Sequence, residues 1–165
     1  MLKIYLPLEK KVIRKLKHGE EVLLNGPVLT ARDAAHKRLV ETLLSKRKLP
    51  FSLKGETIYY TGPAPARPDE IIGACGPTTS SRMDSFTPVL LKHGLLGMIG
   101  KGERSKEVAS AIRKSGAVYF VTIGGAGAYL SEKVKERYII AYKDLDTEAI
   151  QRLVIEDFPA IVFIV

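Results

Sequence analysis

"LLGMIGKGERSKEVASAIRKSGAVYFV" (Leu95–Val121) reads as strand, glycine turn, helix and strand in one run. The apolar residues around Met98 and Ile99 stop at Gly100-Lys101-Gly102. Ser105 then stands where a helix cap accepts a backbone N–H, and Gly116 marks the stop. Val118–Val121 is β-branched and aromatic, the composition of a buried strand. Two strands joined through a helix form the unit of a parallel sheet.

Outward from this run the plan repeats. "AVYFVTIGGAGAYLSEKV" (Ala117–Val134) is again strand, glycine turn and helix. Upstream, "EVLLNGPVLTARDAAHKRLVETLLSKRKL" (Glu21–Leu49) predicts a strand, a turn at Gly26-Pro27 and a helix from about Ala31. Leu39, Val40, Leu43 and Leu44 give that helix an apolar stripe at the helical period, and Thr30 and Asp33 have the spacing of a capping box. "TIYYTGPAPARPDE" (Thr57–Glu70) is a short strand ended by prolines. "IIGACGPTT" (Ile71–Thr79) is a second short apolar run, and "SSRMDSFTPVLLKHG" (Ser80–Gly94) follows as a helix interrupted at Pro88. Residues 1–20 read as an opening strand and a basic connector, while Arg137–Lys143 and Phe158–Val165 read as late strands. The expectation is an α/β domain spanning residues 1–165 with a mainly parallel sheet.

The 165 residues, 45% hydrophobic and 27% charged, suit one domain with one core. No apolar run approaches the ~18–20 residues of a membrane span, and no signal peptide is visible, so cytoplasmic residence is expected. One cysteine, Cys75, and three scattered histidines leave too few ligands for a metal site on this chain alone. The formal charge of +8 is concentrated in residues 1–54, which carry 13 Lys/Arg against 5 Asp/Glu. A solvated face accounts for this more simply than nucleic acid, because no aromatic interleaving or nucleic-acid motif accompanies it.

Four predicted strand-to-helix turns carry the chemistry: Leu29–His36, Gly73–Asp84, Gly100–Ser105 and Gly124–Ala128. In a parallel sheet such turns share the carboxyl edge of the strands, where ligands bind. Arg32, Arg82 and Lys101 would therefore crowd one edge. An arginine in a first helical turn opposes the helix dipole at a cost of a few tenths to ~1 kcal/mol, so two of them suggest an anionic ligand that offsets the repulsion. Two guanidinium groups and an ammonium suit a small dianion, either a dicarboxylate or a phosphate. The phosphate motifs fail on spacing. A Walker loop ending at Gly100-Lys101 would need glycine where Leu95 stands and a hydroxyl where Gly102 stands, and a dinucleotide fingerprint from Gly125 meets Leu130 at its last position.

"TARDAAHKR", "GPTTSSRMD", "GMIGKG" and "EDFPAIV" together resemble the β subunit, or C-terminal domain, of iron–sulfur-dependent class I fumarases and L-tartrate dehydratases. The likeness runs over nearly the whole chain, with Ser80-Ser81 where the family's usual form has Ala-Gly. It implies a three-layer β/β/α swivelling domain facing a separate α subunit, in an α2β2 assembly. That α subunit would hold a [4Fe-4S] cluster whose open iron acts as a Lewis acid on a small dicarboxylic acid substrate. It also implies roles by position: Thr78 as the base at the carbon acid, Arg32, Thr79, Arg82 and Lys101 as substrate-binding residues, and Asp33 and His36 as supports. No metal ligand is implied on this chain, and neither a membrane nor nucleic acid is expected as a partner.

Overall fold

The computed structural model describes residues 1–123 and 125–165. Its strands are β1 (Leu2–Tyr5), β2 (Glu21–Thr30), β3 (Thr57–Tyr59), β4 (Gly97–Gly100), β5 (Val118–Val121), β6 (Val134–Ala141) and β7 (Ile150–Ile164). The α-helices are α1 (Lys10–Ile13), α2 (Asp33–Leu44), α3 (Thr87–Lys92), α4 (Lys106–Lys114) and α5 (Gly127–Ser131). Short 3₁₀ turns cover Ser80–Met83 and Lys143–Glu148.

β2, β3, β4 and β5 run parallel in that order, as the strand–helix–strand reading predicts. The sheet is nevertheless mixed and closed on itself, while β1–β5 are all parallel. The 15-residue β7 pairs antiparallel with β5 on one side and β2 on the other, closing a five-stranded barrel. β1 extends the sheet parallel to β2, and β6 extends it antiparallel to β7.

Side chains alternate along each barrel strand, and both faces are covered. One set (Val28, Tyr59, Ile99, Phe120 and Phe158 among it) forms a core fed by all five barrel strands. The alternate set (Leu29, Ile58, Met98 and Tyr119) packs beneath α2, α3 and α4 against Leu39, Leu90 and Ile112. Two buried faces explain why the strands read as continuous apolar runs. Each fully buried large side chain is worth roughly 1.5–3 kcal/mol against exposure.

Local signals are met where they stay local. Ser105 caps α4 by accepting the Val108 N–H at 3.2 Å, with Glu107 in the first turn and Arg113 and Lys114 in the last, as the helix dipole favours. Four expectations fail. Gly26-Pro27 is not a turn: β2 continues through it with a bulge, Gly26 taking φ +117 and Pro27 pairing with Val154. The Asn25 side chain accepts the Asp157 N–H at 3.0 Å, so the irregularity is satisfied from the opposite strand. Thr30 and Asp33 form no capping box. The buried Thr30 hydroxyl accepts the Gln151 N–H at 3.0 Å and donates to the Ala149 carbonyl, and Arg32 stands at the N-cap. Ser80–Gly94 is two short elements, with Pro88 in the first turn of α3, where its missing N–H costs nothing. Ile71–Thr79 forms no strand, although Ile72 and Cys75 are buried in the core.

Candidate functional site

The carboxyl ends of β2, β3 and β4 lie side by side, and the predicted residues follow them directly. Arg32 comes two residues after β2. The Thr78 loop docks on β3 through Thr78 N–H donating to the Tyr60 carbonyl at 2.7 Å. Lys101 follows β4 and pairs with Thr79 in a short parallel bridge, where Ser80 N–H donates to the Lys101 carbonyl at 3.0 Å. Arg32, Thr78, Thr79, Arg82 and Lys101 are thus gathered at one end of the barrel from segments 69 residues apart in sequence. Of the fourth turn, Gly124 lies outside the described residues, and Gly127 accepts the Cys75 N–H at 3.2 Å.

Arg82 does not stand in the first turn of a helix. Ser80–Met83 is a single 3₁₀ turn with Arg82 near its end, so no helical N-terminus repels it. Its charge is met by Asp33 instead. Arg82 Nε donates to Asp33 Oδ1 at 3.2 Å, and Arg82 Nη2 donates to Asp33 Oδ2. This is a forked pair on the Nε edge of the guanidinium, which leaves the Nη1 hydrogens free of Asp33. Arg32 does stand at the N-terminus of α2. Its Nε is buried without a hydrogen-bond partner among the described residues. Arg32, Asp33 and Arg82 share the walls of a cleft with Lys37, Phe86 and Glu148; Thr78 and Lys101 stand outside those walls.

His36 supports this corner from below. It is fully buried, edge-on to Tyr60, and its Nδ1 donates to the Arg32 carbonyl at 2.8 Å. Burial lowers its pKa to about 4, the Arg32 carbonyl opposing and Arg104 adding to the effect, so the ring is neutral at pH 7. It is placed to hold the start of α2, not to exchange protons with a ligand.

Sequence reasoning missed the residues that frame the site. Arg104 has a side chain with no exposed surface, donates to Asp84 at 2.6 Å and to the Thr87 hydroxyl at 2.8 Å, and lies over the Tyr119 ring at 4.8 Å. Asp84 also accepts the Ser105 N–H at 2.8 Å. The pairing joins the loop after Arg82 to the loop after Lys101. The sequence held no sign of it, because an arginine three residues after Lys101 resembles any exposed loop residue.

Among the described residues, no three His, Cys, Asp or Glu side chains gather as ligands. Cys75 is buried, and burial pushes its thiol up to about 12, the opposite of what a thiolate ligand requires. An iron–sulfur cluster therefore does not fit the residues of this chain. No helix among the described residues is long and apolar enough to cross a membrane. Of the basic first third, Lys3, Lys11 and Arg38 are engaged by Asp157, Glu9 and Asp144.

Residues 2–165 match the family described as Fumarase C-terminus. The chain is 39% identical over 143 residues to the anaerobic class I fumarate hydratase of Escherichia coli K12, which covers 86% of this chain. It is 38% identical over 148 residues to fumarate hydratase 2 of Leishmania major, covering 88%. In both cases the chain spans 26% of the relative's length, about a quarter of the whole enzyme. A Methanocaldococcus jannaschii protein, provisionally named an L(+)-tartrate dehydratase subunit beta, is 39% identical over 131 residues, 78% of this chain and 67% of that protein.

Proposed function

The chain belongs to the fumarase C-terminus family, and from that premise we propose that it is the β subunit of an iron–sulfur hydro-lyase that interconverts fumarate and L-malate. The observation that carries this reading is the convergence of Arg32, Arg82, Thr78 and Lys101 at the carboxyl ends of three parallel strands. The barrel serves as a swivelling domain of the three-layer β/β/α type that closes over an α subunit in an α2β2 cytoplasmic assembly. The α subunit holds the [4Fe-4S] cluster, in keeping with a single buried cysteine here.

Within this reading the residues of the chain divide the work. Arg82 offers its Nη edge to one substrate carboxylate while Asp33 fixes the plane of the guanidinium from the other edge. Arg32 and Lys101 bring two further cations, enough to neutralise a dicarboxylate, and Thr79 orients the substrate. Thr78 takes the proton from the carbon next to the hydroxyl-bearing one. A threonine hydroxyl is a weak base, so its own proton first passes to a base of the α subunit; the C–H electron pair then forms the double bond as hydroxide leaves the neighbouring carbon. A cation on the bridged Lys101 loop lowers the cost of that developing alkoxide. His36 and the Arg104–Asp84 pair hold the loops in place.

The test is to assemble the chain with a cluster-loaded α subunit under anaerobic conditions and assay L-malate, fumarate and L-tartrate. Hydration of fumarate is expected, and no activity from the chain alone. Turnover of tartrate without malate or fumarate would replace the substrate and leave the reaction class. No dehydration of any of them would remove the reading.

A further inference from the structure

Thr78 and Arg82 sit on one loop and Lys101 on another, so the proposed site works only if the two loops keep a fixed register. The structure shows how that register is held. Lys101 N–H donates to Ser80 Oγ at 3.1 Å, and Ser80 Oγ lies 2.8 Å from the Tyr119 hydroxyl. The Tyr119 hydroxyl is also 2.8 Å from the Gly102 carbonyl. Tyr119 has one hydrogen to give, and the Gly102 carbonyl can only accept. Every group is satisfied in one arrangement: Lys101 N–H to Ser80 Oγ, Ser80 O–H to Tyr119 Oη, Tyr119 O–H to the Gly102 carbonyl. The chain of bonds starts and ends on the Lys101 loop and passes through the Thr78 loop between.

The surroundings are built for this contact. Ser80 is fully buried, as is the Tyr119 ring. Gly100 leaves the room for it: a Cβ there would stand 1.9 Å from Ser80 Oγ. Tyr119 lies on β5, on the helix-covered face of the sheet, so its ring is anchored by the sheet and not by either loop. Its ring also carries the Arg104 guanidinium at 4.8 Å, which ties the same two loops a second time through Asp84.

We propose that Tyr119 is a positioning residue that, through Ser80, holds the Lys101 loop in register with the Thr78 loop. It touches no substrate, and its effect on catalysis rests on the fumarase reading above. Misplacing a binding group by about 1 Å can cost on the order of 100-fold in rate, so a hydroxyl that sets a loop has leverage far beyond its own bond.

The experiment compares Tyr119→Phe, Ser80→Ala and the double variant, with Tyr138→Phe as an exposed control on β6. Two readouts are taken: kcat and KM for L-malate per assembled, cluster-loaded complex, and amide hydrogen exchange at Lys101 and Ser80 in the 165-residue chain. Expected are a loss of roughly ten-fold in kcat for either single variant and no further loss in the double, since both cut one chain of bonds. Exchange at Lys101 should speed up in all three, and Tyr138→Phe should match the wild type in both readouts. Unchanged kcat in Tyr119→Phe with an active wild type, or losses that multiply in the double variant, would overturn the proposal. If the wild-type complex dehydrates no dicarboxylate, the fumarase reading falls and exchange alone decides: faster exchange at Lys101 upholds the tie, and unchanged exchange overturns it.

Discussion

Two arginines at this end of the barrel each pair with an aspartate, and they have opposite surroundings. Arg82 is 50% exposed and its partner Asp33 36%; Arg104 is 0% exposed and its partner Asp84 16%. An exposed pair is worth at most about 1 kcal/mol and exchanges partners readily. A buried pair is rigid, because removing one member strands the other charge out of water. The difference separates working groups from framing groups: Arg82 is free to trade part of its shell for a ligand carboxylate, and Arg104 is not.

The comparison breaks most sharply if Arg104 is expendable. Arg104→Ala should destabilise the chain by about 3–5 kcal/mol, leaving the Asp84 carboxylate without its cation and removing one of the two ties between the loops. Urea denaturation of the isolated chain measures this, and Arg104→Lys should recover only part of the loss because an ammonium cannot span Asp84 and the Thr87 hydroxyl as the planar guanidinium does. A wild-type midpoint in Arg104→Ala would erase the distinction.

The buried His36 supplies the next largest effect. Its pKa is lowered to about 4, chiefly by burial, while the unfolded chain titrates near the ordinary histidine value of about 6.5. Below about pH 6.5 the unfolded state binds a proton that the folded state refuses, so stability falls with pH through the window from about 6.5 to 4. Within that window the loss reaches roughly 2–3 kcal/mol. Asp33 and Arg104 are the charges that bear on the ring, and they act in opposite directions. His36→Gln should flatten this part of the stability–pH curve relative to wild type, and an unchanged difference across the window would contradict it.

On the exposed side, Asp33→Ala should change stability by less than about 1 kcal/mol. It should raise KM for the substrate several-fold once Arg82 loses the group that fixes its plane, as steady-state kinetics of the complex would register. The smallest effect is at Cys75, whose buried thiol is pushed up to about 12. The folded chain should resist a thiol reagent at pH 7 and react only in denaturant.

What could be read from the sequence follows the range of the interactions involved. The strand, cap, helix and stop of Leu95–Val121 are fixed by residues within a few positions of one another, and they appear as read. Gly26-Pro27 resembles a turn because a bulge and a turn use the same residues. Only β7, more than a hundred positions away, makes it a bulge. Thr30 has the chemistry of a cap, and its partners Ala149 and Gln151 take it elsewhere. The barrel itself was hidden for the same reason, since nothing local marks a last strand long enough to pair on both sides. In the candidate site, the gathering of Arg32, Arg82 and Lys101 is legible from topology, and Thr78 only from the family resemblance. Arg82 does not stand at a helix start as its neighbours suggest, and Asp33 answers its charge. Ser80, Tyr119 and Arg104 were not legible, because burial and partner choice are decided by how the loops fold over β5.

The central claim is that the exposed and half-buried groups at this end of the barrel do chemistry that the fully buried ones only support. The most direct measurement is turnover of L-malate by the assembled, cluster-loaded complex for wild type, Thr78→Ala and Arg82→Ala, beside the unfolding free energy of each chain. The predicted result is a loss of roughly 100-fold or more in turnover for both variants, with stability within about 1 kcal/mol of wild type and assembly intact. Near-normal turnover in both would contradict the account.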